Sequence, residues 1–119
     1  MIITLKNLIS LFESYNFHRC KQSYKPDLLW FSYTSIPMNI CVNRYYVGFI
    51  IEFSYTCGGI DNEIYADTIN ISKQTIITTQ IITSDYDLLV REFLKFNELI
   101  KLNFNVEVKP QSHQSITFS

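Results

Sequence analysis

Residues 46–56 read YVGFIIEFSYT, and this stretch predicts the central strand of a β-sheet. Its aromatic and β-branched residues are of the kind that is enriched in strands. Apolar side chains fall on both faces of this strand, and residues 28–35, LLWFSYTS, repeat the pattern. Strands of this composition need cover on both faces. We therefore expect one face of the sheet to expose apolar side chains unless the C-terminal tail, a second copy of the chain or another protein covers it.

Further strands are expected on both sides of these two. A tight turn at Asn43-Arg44 would separate the 46–56 strand from the strand before it. A hairpin is expected around Ser72-Lys73-Gln74. These remaining strands are predicted at residues 17–23, 38–43, 63–72, 75–83 and 104–109.

Two amphipathic helices flank the strands. The first has Thr4 as its N-cap, and Asn16 closes it in a left-handed conformation. The second has Ser84 as its N-cap and Asp87 at the capping-box position, and it should end near Asn103. The expected buried stripes are Leu5, Leu8, Ile9, Phe12 and Tyr15 in the first helix, and Leu88, Leu89, Phe93, Phe96, Leu99 and Ile100 in the second.

This order of elements predicts an α+β fold. Strands grouped between two helices favour a two-layer sandwich with both helices on one face of an antiparallel sheet. We expect about five to six strands in the order α-β-β-β-β-β-α-β. A chain of 119 residues has the length of one domain, so residues 1–119 should share one core, with a polar tail at residues 110–119.

Charge favours no particular partner. The chain has ten lysine and arginine residues against eleven aspartate and glutamate residues, and its formal net charge is -1. Such a chain has no overall field that would attract a polyanion.

The expected location is the cytoplasm. No apolar stretch approaches the roughly 20 residues of a membrane-spanning helix, and the N-terminus lacks the basic leader and cleavage site of a signal peptide. Three cysteines without close pairing fit a reducing compartment. The 17 isoleucines and single alanine indicate an AT-rich genome, and a phage or other mobile element acting in the host cytoplasm is one such source.

The apolar sheet face is the main functional clue. We expect a non-enzymatic protein-protein interaction module, such as an inhibitor, an immunity protein or an assembly factor. Its partner would be another protein or a second copy of the chain, and no cofactor is expected. The residues expected to carry the interaction are Trp30, Tyr33, Tyr46 and Ile50.

A small metal-dependent enzyme or nuclease is the alternative from a different class. Glu52 is a carboxylate between Ile51 and Phe53, where burial without a partner would be costly. An ion pair with Arg44, Arg19 or a lysine is the simpler explanation. The acid site would combine Glu52 with three residues around the glycine loop, namely Asp61, Glu63 and Asp67.

The cysteines and one histidine raise the question of zinc. His18 and Cys20 would lie on one side of a strand and could join Cys41 and Cys57 in a tetrahedral site. The spacing contains no paired knuckle, and free cysteines are most often buried thiols. We therefore expect no metal.

Single-stranded nucleic acid is the third class of ligand. Bases could stack on an aromatic sheet face if basic side chains surrounded it. No basic run is present, so nucleic acid is an unlikely partner. The aromatic residues of this hypothesis are Trp30, Phe31, Tyr33, Tyr45, Tyr46 and Phe49.

Overall fold

A computed structural model describes residues 1–20, 28–57 and 75–111. The predicted strand at residues 63–72, the acidic residues Asp61, Glu63 and Asp67, and residues 112–119 of the tail lie outside this part of the chain. The elements are α1 (Leu5–Ser14), β1 (Phe17–Arg19), β2 (Leu28–Tyr33), β3 (Met38–Tyr45), β4 (Gly48–Cys57), β5 (Thr75–Thr83) and α2 (Tyr86–Phe104).

The five described strands form one antiparallel sheet in the order β1-β2-β3-β4-β5. Each strand pairs with the next strand along the chain, so the sheet is a meander. One helix precedes the sheet and one follows it, which confirms the predicted α+β class. The 46–56 stretch contributes β4, which pairs on both sides, although β3 is the middle strand of the five.

Both helices pack on one face of the sheet, and aromatic rings fill the space between the layers. Phe12 of α1 is fully buried, and its ring centroid lies 5.1 Å from that of Phe31 and 5.3 Å from that of Phe93. Phe53 of β4 stacks on Phe96 of α2 at 5.7 Å. The apolar residues that alternate along the strands therefore meet the helix stripes in one core.

The start of α1 agrees with the sequence. The Thr4 side chain accepts a hydrogen bond from the Asn7 backbone N–H at 3.1 Å, and the Asn7 side chain accepts one from the Thr4 N–H at 2.8 Å. Asn16 has the predicted left-handed conformation, with φ 70°. The buried stripe differs by one position, because Leu11 is buried and Leu5 is exposed.

The N-cap of α2 is Asp85, so the prediction of Ser84 was wrong by one residue. Ile2 forms an antiparallel bridge with Asp85, and this pairing holds Asp85 in an extended conformation. The Asp85 side chain then accepts a hydrogen bond from the Asp87 N–H at 3.1 Å. At the other end, Asn105 caps the helix in the left-handed conformation after Phe104.

The tight turn predicted at Asn43-Arg44 was also wrong. Both residues belong to β3, and the Arg44 guanidinium lies 5.7 Å from the centroid of the Phe49 ring on the opposing strand. The chain reverses one pair later, between Tyr45 and Gly48. A Cβ atom at position 48 would approach the carbonyl oxygen of Thr83 to 2.6 Å, so glycine is required where β4 begins.

The final strand predicted at residues 104–109 is not formed. Phe104 ends α2, and the chain then runs alongside the end of α1 instead of joining a sheet edge. The Asn16 side chain donates to the Lys109 carbonyl at 2.9 Å, and the Gln111 N–H donates to the Ser14 carbonyl at 2.7 Å. The alternating pattern instead buries Val108 against the core.

The remaining predicted boundaries differ little. β1 is shorter than the expected 17–23 strand, and Cys20 follows it with a hydrogen bond from its N–H to the Trp30 carbonyl at 2.8 Å.

Within the described residues, neither helix has the length and apolarity required to cross a membrane.

Candidate functional site

The face of the sheet opposite the helices is the candidate site, and we call it the open face. Neighbouring residues along a strand point to opposite sides, and paired residues on adjacent strands point to the same side. Three cross-strand rows can therefore be assigned to the open face from the pairing register. Neither α1 nor α2 packs on these rows.

The middle row contains Trp30, Cys41, Glu52 and Gln80 on four adjacent strands. The Trp30 side chain is 38% exposed, and Glu52 is half-buried. Burial raises the pKa of the Cys41 thiol, and the negative charge of Glu52 raises this pKa further. Cys41 therefore remains a protonated thiol near neutral pH, which makes it a poor nucleophile.

A second row is largely apolar. It contains Leu28, Asn43, Ile50 and Ile82, again on four adjacent strands. Ile82 is 57% exposed, and Ile76 on the same face of β5 is 59% exposed. Ile82 extends this row to the edge of the described sheet, whereas Ile76 is separated from Ile82 by Gln80 and Thr78 on the same face of β5.

The third row is polar. It contains His18, Ser32, Asn39, Ser54 and Thr78 on the five described strands. The Ser54 hydroxyl donates to the Asn39 carbonyl at 3.5 Å, and the Ser32 hydroxyl lies 3.3 Å from the thiol of Cys20. The open face therefore has a largely apolar row on one side of the middle row and a hydrogen-bonding row on the other side.

The four residues expected to carry an interaction lie in three places. Trp30 and Ile50 occupy neighbouring rows of the open face. Tyr33 lies on the helix side, where its ring is 5.1 Å from that of Phe17 and its hydroxyl accepts from the Lys109 N–H at 3.4 Å. Tyr46 is 92% exposed in the turn between β3 and β4.

Ile76 and Ile82 belong to the open face but were absent from the residues expected to interact. The sequence alone predicts that the two side chains share one face of the strand, because both occupy even positions in the 75–83 strand. The register with β4 was needed to place that side opposite the helices, since Ile82 pairs with Ile50.

Glu52 has no ion pair within the described residues. The two ion pairs found there are Arg91–Glu92 and Lys101–Glu107. Arg19 pairs with Phe31 and Arg44 with Phe49, so both arginines belong to strand positions that point to the helix side. The partners of the proposed acid site, Asp61, Glu63 and Asp67, lie outside the described residues.

The proposed zinc ligands do not assemble in the part of the chain that the structure describes. No group of three histidine, cysteine or acidic residues there could hold a metal ion. Cys20 and Cys41 are free thiols, His18 is exposed on β1, and the Cys57 side chain lies outside the description.

The aromatic residues do not share one face. Trp30 is on the open face, whereas Phe31, Tyr33 and Phe49 belong to the helix side. The rings of Tyr45 and Tyr46 contact each other in the β3–β4 hairpin, with centroids 5.1 Å apart and planes tilted by 60°. The three rows of the open face contain one carboxylate and no lysine or arginine.

A second exposed surface lies where α2 passes the edge strand β5. A groove of about 440 Å³ runs between Thr79 of β5 and the side chains of Phe96, Leu99 and Leu102. Leu99 was expected in the buried stripe of α2 but is 44% exposed at this groove. The charged residues of the groove are Glu92, Lys95 and Glu98.

Comparison of the chain with models of protein families, with curated proteins and with solved structures found no match.

Proposed function

We propose that this chain is a non-enzymatic protein-protein interaction module that binds through its open face. The observation that carries this proposal is the exposure of Trp30, Ile76 and Ile82 on a sheet face that neither helix covers. Exposed apolar side chains on an uncovered sheet face mark interaction sites, because binding a partner removes their surface from water.

The composition of the open face favours a protein partner. Tryptophan is enriched among the residues that dominate binding energies, and Trp30 stands beside an apolar row and a polar row. A protein surface can match both, with apolar contacts on one half and hydrogen bonds on the other.

The same chemistry argues against nucleic acid and against catalysis at this face. Glu52 places a carboxylate in the middle row, and the three rows contain no lysine or arginine that could bind phosphate. The only thiol in the middle row is Cys41, whose raised pKa disfavours the reactive thiolate.

The small size of the domain and the residue usage of the chain support a more specific proposal. A small domain with one binding face suits an inhibitor, an immunity protein or an assembly factor. The AT-rich residue usage favours a phage or mobile-element source, with the host cytoplasm as the place of action.

Site-specific photo-crosslinking tests this proposal. A benzophenone amino acid replaces Trp30 in cells that naturally express the chain, and in a matched control it replaces Lys6, which is exposed on α1. We expect a protein adduct of defined mass from position 30 and none from position 6. Equal adducts from both positions, or none from position 30, would contradict the proposal.

A charge reversal assigns the adduct to the open face. Glu52→Arg changes the middle row, whereas Glu13→Arg makes the same change at an exposed position of α1. We expect Glu52→Arg to reduce the yield of the adduct from position 30 and Glu13→Arg to leave it unchanged. Equal yields in the two variants would show that the adduct does not report on the open face.

A further inference from the structure

The two edges of the described sheet differ in how well they are protected. Exposed strand edges invite pairing with other chains, and natural proteins protect them with short strands, charges, prolines or bulges. β1 has three residues and contains His18 and Arg19. β5 has nine residues, TIITTQIIT, with no charge and no proline, and within the described residues it pairs only with β4.

The sequence of β5 is nearly symmetric about Thr79. In an antiparallel pair of two β5 strands centred there, Ile76 lies opposite the partner's Ile82, and Ile77 lies opposite the partner's Ile81. Thr78 then lies opposite the partner's Gln80. Such self-complementarity is what a two-fold symmetric interface requires, because each contact occurs twice.

Other registers lose this match. Centring the pair on Thr78 or Gln80 would place isoleucines opposite threonine or glutamine. Centring it between two residues would pair helix-side positions with open-face positions, so the helices of the two copies would lie on opposite faces. Only the register about Thr79 pairs isoleucine with isoleucine on both faces.

The groove lined by Thr79 lies next to the symmetry axis, because this axis passes through Thr79. Leu102 is 75% exposed at this groove, and the exposed Leu99 lies one turn before it. A two-fold axis through Thr79 brings the α2 helices of two copies towards each other above the joined strands. The cationic Lys95 lies between Glu92 and Glu98 in the sequence of α2, so two copies can match unlike charges across the axis.

We infer that a second copy of this chain pairs with β5 in antiparallel orientation, centred on Thr79, and joins the two described sheets into one of ten strands. The inference goes beyond the proposed function, because the second copy binds the β5 edge and leaves Trp30 on the open face accessible to another protein. The two open faces then form one continuous surface, and the exposed isoleucines of β5 become cross-strand pairs.

Sedimentation velocity with a charge-swap pair tests the inference. The double variant I76K/I82K places lysine opposite lysine twice at the interface, whereas I76K/I82E places lysine opposite glutamate twice. Positions 76 and 82 lie about 20 Å apart within one strand, so the swap has no effect inside a monomer. Both isoleucines are more than half exposed, so both variants should fold.

The expected result is a dimer for the unmodified chain, with at least a tenfold weaker association for I76K/I82K. I76K/I82E should regain most of the association. A monomeric unmodified chain would overturn the inference. A dimer that is equally stable in all three proteins would also overturn it.

Leu102→Asp provides a second route if the strand variants unfold. This exposed position should weaken the dimer without lowering the stability of the fold, since it sets two carboxylates near the axis. An unchanged dimer would contradict the packing of α2 against its copy. Loss of crosslinks from position 30 would contradict the proposed function, whereas loss of β5 pairing alone would contradict only this inference.

Discussion

At the scale of single residues, the fully buried Phe12 connects the aromatic rings of the core. It lies on α1, and its ring contacts Phe17, Phe31 and Phe53 of three strands as well as Phe93 of α2. One side chain therefore joins both helices to the sheet. This arrangement explains why α1, a helix of ten residues that would be marginal alone, is stable here.

Phe12→Ala should lower the free energy of unfolding by about 3–5 kcal/mol, because it removes buried area and leaves a cavity. Val47→Ala is the control, since this residue of the β3–β4 turn is 80% exposed and should change stability by less than about 0.5 kcal/mol. Urea unfolding followed by circular dichroism measures both. A loss below about 1 kcal/mol for Phe12→Ala would contradict the position of α1 in the core.

Cys41 allows a test of the electrostatics of the open face. Because the Glu52 carboxylate raises the pKa of this thiol, Glu52→Gln should lower that pKa and increase the thiolate fraction at a given pH. We expect faster alkylation of Cys41 by iodoacetamide in this variant, measured by mass spectrometry of the peptides. Alkylation of Cys20 is the internal control. An unchanged or slower rate at Cys41 would show that the two side chains are not neighbours.

At the scale of elements, the N-cap of α2 is Asp85 in the structure, whereas the sequence pattern predicted Ser84. Asp85→Ala should cost about 0.5–2 kcal/mol of stability, because the Asp85 carboxylate accepts the hydrogen bond from Asp87. Ser84→Ala should remain within about 0.5 kcal/mol of the unmodified chain. Thermal unfolding of the two variants gives the comparison. The reverse order of stabilities would restore Ser84 as the N-cap.

The local sequence pattern correctly predicted the elements that depend on neighbouring residues alone. The alternation in β2 and β5 and the Thr4 cap are properties of short segments, and they agree with the structure. The failure at the N-cap of α2 depends on a distant contact, because Ile2 forms a bridge with Asp85. The failure at Asn43-Arg44 depends on the register of the β3–β4 hairpin, in which Arg44 pairs with Phe49.

The same distinction applies to the candidate site. Alternation alone placed Trp30 on the opposite side from Phe31. It also placed Tyr33 with Phe31, so Tyr33 could have been left out of the interaction residues from the sequence. The groove beside β5 could not be predicted, because the position of α2 relative to the sheet edge follows from packing.

At the scale of the whole molecule, we propose that two surfaces of the described residues take part in association. The open face offers apolar and hydrogen-bonding rows, and the β5 edge offers an uncharged strand beside exposed leucines of α2. Pairing of two β5 strands would use the edge and leave Trp30 of β2 free on the enlarged face, because β2 lies three strands away. A dimer could therefore still bind a different protein.

Hydrogen-deuterium exchange of the unmodified chain at low and high protein concentration tests association most directly. In a monomer, the outward amides of an edge strand exchange readily, whereas pairing protects them. We predict that residues 75–83 become protected as the concentration rises and that residues 17–19 of the opposite edge do not change. Exchange of residues 75–83 that is independent of concentration would contradict the account.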